Sequence, residues 1–313
     1  MRLVATLFLA LTAACGGSWS PEDVAFLQAL PTRSQLAVTG PGSTENSSAL
    51  SDLGEREDAL GQSTVLSGLR DQIRNVNTFI TVFTAGLDFI RTLPPSTRAT
   101  NRREWGPYPD SKPNTQLLII IERTATNTYE YAFKKRLGTT GDFATVVSGT
   151  FIGDKATKGQ GALHYDATEG RRLGNESNAD LVAADLTYDL TKGSNEATFS
   201  IETVNKPQAT FAYVVQPGGS GVASYVVIGR LDSSAKADES LTIDARWLAT
   251  GAGRADIQAT GGDLGSFVGR YAECWNPALT QVFVSRNFNC PGAAQTCTDG
   301  AAAQCAIPPA GTN

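Results

Sequence analysis

Between residues 63 and 93 apolar side chains recur at alternating steps of three and four: Leu66, Leu69, Ile73, Val76, Ile80, Phe83, Leu87 and Ile90. Because 3.6 residues complete a helical turn, that spacing puts all eight on one face of a single long helix, which Pro94-Pro95 then stops. Phe79, Val82, Phe89 and Leu93 widen the stripe in its second half, so the helix has to be covered on more than one side. A coiled-coil partner would use regular charges at the flanking e and g positions. These are lacking, so the covering surface is expected from the same chain.

That surface begins at Gln116, where the period changes to two. Tyr129, Tyr131 and Phe133 alternate with Glu130, Ala132 and Lys134, and Leu241, Ile243, Ala245 and Trp247 alternate with Thr242, Asp244 and Arg246. Similar runs near 143–152, 160–166, 181–190, 208–216, 222–230, 253–260, 266–275 and 279–286 are separated by turn clusters such as Pro217-Gly218-Gly219. The pattern predicts an antiparallel meander of about a dozen strands with one dry and one wet face. The expected fold class is α+β, mostly β: a large antiparallel sheet, curved into a half-barrel, packed on one long N-terminal helix. A β-sandwich with a flanking helix is the alternative. Lys, Arg, Asp and Glu at outward mid-strand positions argue against a transmembrane barrel.

In element order, residues 63–286 resemble the half-barrel of bacterial lipoprotein carriers and their receptors. The resemblance implies an apolar ligand or lipid held between sheet and helix and lined by Tyr131, Phe133, Phe211, Tyr213 and Trp247, with Phe267 and Tyr271 also on the inner face. If aromatic side chains fill that space instead, the chain is a non-catalytic structural or interaction module with a solid core.

The amino terminus reads as an export signal: Met1-Arg2 carries charge, Leu3 to Leu11 is apolar apart from Thr6, and small residues precede Cys15. A membrane span needs roughly 20 apolar residues, more than this stretch supplies. Leu11-Thr12-Ala13-Ala14-Cys15-Gly16 resembles the lipobox of bacterial lipoproteins, with Thr12 in the place usually held by Leu. The resemblance implies acylation of Cys15, attachment to a membrane of the cell envelope and, since Gly16 follows the cysteine where an Asp would favour inner-membrane retention, the outer membrane. The partition expected is a signal over 1–14, a tether, short helix and surface linker over 15–62, a helix-and-sheet domain over 63–288, and a tail over 289–313. After the tether, Ser20-Pro21-Glu22-Asp23 carries the hydroxyl, proline and acids of a helix start. Of five cysteines, Cys15 is assigned to acylation, which leaves an even set of Cys274, Cys290, Cys297 and Cys305 for disulfides whose pairing stays open.

Little in the chain points to chemistry. A formal charge of -5 with no basic block argues against nucleic acid as a partner. The single histidine, His164, alternates with Leu163 and Tyr165 and so falls on the wet face, without a Gly-x-Ser-x-Gly elbow nearby. Asp185 and Asp189 share a strand face at roughly 13 Å, too far apart for a glycosidase pair. The cysteine spacings lack the close pairs of a zinc site. No enzyme activity, cofactor or metal is expected, and the partners expected are a membrane, through acyl chains, and a lipid or an envelope protein.

Overall fold

The structure is a computed structural model and describes residues 19–41 and 61–309, apart from gaps at 111, 155–157, 175, 177, 205–207, 231–235 and 293–294. The chain opens with α1 (Pro21–Gln28), in which the Ser20 hydroxyl accepts from the Asp23 backbone N–H while Asp23 accepts from the Ser20 N–H, a reciprocal cap that closes the first turn. A single turn, α2 (Arg33–Leu36), follows, and then α3 (Thr64–Ile90). At 27 residues α3 is about 40 Å long. All eight residues of its predicted stripe are buried.

The rest is a meander: β1 (Thr97–Ala99), β2 (Arg102–Pro109), β3 (Thr115–Ala125), β4 (Thr128–Leu137), β5 (Ala144–Ile152), β6 (Gln160–Asp166), β7 (Leu181–Asp189), β8 (Asn195–Thr203), β9 (Gln208–Val215), β10 (Gly221–Gly229), β11 (Glu239–Trp247), β12 (Gly253–Gly261), β13 (Gly269–Trp275), β14 (Gln281–Arg286) and β15 (Cys297–Gly300). A short helix, α4 (Ala167–Arg172), capped by Asp166, separates β6 from β7. Among the described residues, every strand pairs antiparallel with its sequence neighbours and with no other strand, in one fifteen-stranded sheet.

The expected fold is corrected here in three respects. The sheet is open, because among the described residues β1 and β15 have no strand partner beyond β2 and β14, and it is not curled into a half-barrel. It is one sheet, so the β-sandwich is excluded as well. The count is fifteen rather than a dozen, with β1, β2 and β15 added at the two ends. A period of two reports which face is dry and says nothing of curvature, which depends on bulges and twist. The ladders from β8 through β13 run without a register shift; the shifts present lie at Trp105/Tyr108, Arg123/Ala125, Phe133/Lys134, Leu181/Ala183 and Cys274/Trp275.

The core lies between α3 and the inner face of the sheet. The helix crosses the strands: Ser63, its N-cap, meets Glu273 on β13, Phe79 meets Tyr165 on β6 and Phe199 on β8, Phe83 meets β4, and Phe89 meets Tyr108 on β2. Residues 20–41 seal what the helix leaves open. Phe26 packs edge-on to Tyr129, Asn77 of α3 satisfies both backbone groups of Val38, and the Tyr213 hydroxyl accepts from the Thr39 N–H and donates to its carbonyl. Leu36 and Val38, placed by the sequence in a surface linker, are therefore core residues at 2 % and 3 % exposure. Residues 42–60 of that linker lie outside the described residues.

Candidate functional site

The residues expected to line a ligand space are on the inner face, and α3 and the N-terminal segment occupy the space they face. Phe83 stacks on Phe133 with ring centres 5.6 Å apart and lies 5.8 Å from Tyr131. Phe211, Tyr213 and Trp247 form a run of rings at 6.2 and 6.3 Å, and the Trp247 indole N–H donates to the Gly219 carbonyl. All five are buried. The fit leaves no slack at Gly86 of α3, where a methyl group would meet the Phe133 ring at 2.6 Å. No half-barrel ligand pocket is present among the described residues, which corrects the expectation of a bound apolar ligand or lipid. The reason is side-chain bulk: Phe79 and Phe83 of the helix fill the room that the resemblance to the carriers implied was empty. Phe267 departs from its expected place too, standing 45 % exposed in the turn before β13.

The outer face holds the polar groups. His164 Nδ1 and Asp185 Oδ1 are 2.8 Å apart across the β6–β7 ladder, each side chain about half exposed. They are a solvated cross-strand pair. On β4 the Arg136 guanidinium lies 4.4 Å over the Phe143 ring, whereas Lys135, which shares the inward parity of Tyr131 and Phe133, is tied to Asp110 at 2.7 Å. Between β11, β14 and the tail a groove of about 830 Å³ is lined by Asp244, Arg254, Asp256, Phe267, Arg270 and Arg286 among others. Much of its charge is compensated internally, since Asp256 receives both Arg254 and Arg246 and Arg286 pairs with Asp299. Among the described residues no group of three His, Cys, Asp or Glu side chains is arranged to hold a metal ion, and no helix is long and apolar enough to cross a membrane.

The cysteine set resolves into Cys274–Cys305, which pins the tail to β13, and Cys290–Cys297, which closes the loop between β14 and β15. Cys15 and the export signal lie outside the described residues.

The burial of two acids escaped the sequence reading. Asp23 is fully buried, 2.6 Å from Arg103 Nε and 3.0 Å from Arg98 Nε. Burial pushes its carboxyl up, but hydrogen bonds from the Ser20 backbone, Arg103, the Ser20 hydroxyl and Arg98 outweigh that and bring it down to about 2. Glu273 is also fully buried, and its carboxylate accepts from the hydroxyls of Ser63 and Tyr271 and from Gln281 Nε2. Desolvation, reinforced by this neighbour, raises the Tyr271 phenol to about 12. Glu273 had a signal: in Tyr271-Ala272-Glu273-Cys274-Trp275 its parity matches the two aromatic residues, so an acid stands in an inward position.

Comparison with protein-family models, with curated proteins and with solved structures finds no match. The resemblances to lipobox lipoproteins and to half-barrel carriers thus find no counterpart, and the open sheet removes the structural basis of the second.

Proposed function

We propose that this protein is a non-catalytic structural or interaction module, exported and attached to a membrane of the cell envelope, the outer membrane by preference, through acyl chains on Cys15. The observation that carries the reading is the filled inner face: Phe79 and Phe83 occupy the room between helix and sheet against Phe199, Phe133 and Tyr131. A protein built this way works through its surface, and the broad face available is the outer side of the sheet. Two or three acyl chains give stable attachment, since each buried methylene contributes about 0.8 kcal/mol.

Three measurements test the proposal. Protein taken from its native envelope, extracted and analysed by mass spectrometry, is expected to carry no equimolar lipid beyond the acyl chains. A reproducible one-to-one lipid would sink the filled-core reading. An environment-sensitive apolar dye is expected to leave the wild type dark and to light up with Phe83→Ala, which vacates a ring-sized space at a cost of about 3–5 kcal/mol in stability. Labelling with an alkyne fatty acid is expected to mark the mature chain and to be lost in Cys15→Ser. An unlabelled wild type would remove the anchor.

A further inference from the structure

The Cys274–Cys305 disulfide is asymmetric in access and in electrostatic surroundings. Cys274 is fully buried on β13, whereas Cys305 is partly exposed in the tail. Arg254, the residue opposite Cys274 on β12, is only 6 % exposed; its Nε and Nη2 hold Asp256, and its Nη1 lies 3.7 Å from Cys274 Sγ. The second disulfide lacks this polarity. Cys290 and Cys297 are both partly exposed, and the Arg286 carbonyl oxygen lies 3.5 and 3.7 Å from their sulfurs, where it disfavours a thiolate on either.

Thiol–disulfide exchange is an in-line displacement: a thiolate bonds to one sulfur and the other leaves as a thiolate. Full burial leaves no room for a nucleophile to reach Cys274, while Cys305 can be approached from solvent. A fixed guanidinium beside Cys274 stabilises the charge that develops on the leaving sulfur, and a leaving thiol of lower pKa departs faster.

We propose that Cys305 is a site of S-thiolation by a low-molecular-weight thiol, with Cys274 as the leaving group. The incoming thiolate, having released its proton to solvent, forms a bond to Cys305 Sγ. The Cys274–Cys305 bond breaks, and its electron pair leaves on Cys274 Sγ opposite Arg254. One disulfide is exchanged for another, with no net oxidation or reduction. The tail from Ala301 onward then loses its covalent tie to β13.

The full chain with both disulfides intact is exposed to limiting reduced glutathione near pH 8, quenched in acid, alkylated and mapped by peptide mass spectrometry. The first singly modified species is expected to carry glutathione on Cys305 and an alkylated Cys274, with Cys290–Cys297 intact. Glutathione on Cys274, or first exchange at Cys290–Cys297, overturns the proposal. Arg254→Met is expected to slow exchange about three- to tenfold, and Arg254→Lys to hold it within about twofold. Equal rates in the wild type and a folded Arg254→Met overturn the leaving-group assignment. Should that variant fail to fold, the mapping of the unaltered chain still decides between the two sulfurs.

Discussion

Asp23 and Glu273 are buried acids that tie a helix start to the sheet, and they are satisfied in opposite ways. Asp23 faces cations: Arg103, itself 3 % exposed, and Arg98. Glu273 faces neutral donors at the amino end of α3, where the helix dipole favours negative charge. Asp23→Asn leaves the buried Arg103 guanidinium with the half-exposed Glu22 as its carboxylate partner, beside the Ala99 and Arg102 carbonyls, a loss of about 3 kcal/mol at neutral pH. Its pH dependence has a definite sign. The folded carboxyl titrates at about 2 against a reference of 3.8, so its contribution is complete above about pH 4 and disappears as pH falls through 2. That window corresponds to about 2 kcal/mol. Urea titrations of wild type and variant at pH 7, 4 and 2 are expected to show the stability gap narrowing between the last two; a constant gap would mean that the ion pair does not act as described. Glu273→Ala takes the acceptor from the Ser63, Thr64, Tyr271 and Gln281 donors and is expected to cost about 3 kcal/mol or more, against about 1 kcal/mol for Glu273→Gln, which keeps the shape and one acceptor oxygen. Equal costs for the two would show that packing, not the hydrogen bonds, holds Glu273 in place.

At the scale of elements, legibility followed the length of the pattern. The α3 stripe repeats over eight buried residues and, from β4 to β14, strand after strand carries a short run of near period two, so both were visible from spacing alone. β2 was missed because Arg102-Arg103-Glu104 begins it and Gly106-Pro107 interrupts it, although Trp105 at its centre is completely buried and donates to the Leu93 carbonyl. α2 and the strap after it carry only Leu36 and Val38 amid polar residues, too few to show a period. α4 is six residues long and its cap, Asp166, also ends a strand. Of the candidate ligand wall, spacing identified the inward residues correctly as a set, but whether they face a void depends on how the helix side chains interdigitate with them. The disulfide pairing was equally beyond reach, since three pairings of four cysteines are equivalent until β13, β14 and β15 are placed side by side.

For the whole molecule the topology sets up a contest between local and long-range order. A meander in which each strand touches only its sequence neighbours behaves like a one-dimensional array, able to fray from either end. Here that tendency is opposed by contacts that span the chain. Ser63 holds Glu273 across 210 residues, Thr39 holds Tyr213 across 174, and Arg103 holds Asp23 across 80. The helix and the N-terminal strap therefore couple β2 to β13, and unfolding is expected to be a single transition. Tryptophan fluorescence, reporting Trp105 on β2 and Trp247 and Trp275 on β11 and β13, should trace the same urea curve as far-UV circular dichroism. Removing residues 19–41 withdraws Phe26, Leu30, Leu36 and Val38 from the core, each contributing about 1.5–3 kcal/mol of burial. Their sum rivals the 5–15 kcal/mol by which folded domains are typically stable, so the shortened chain is expected to lose cooperative unfolding and to bind apolar dyes. Two well-separated transitions in the intact chain, or an unchanged midpoint after the deletion, would show that the sheet stands by itself and that helix and strap merely rest upon it.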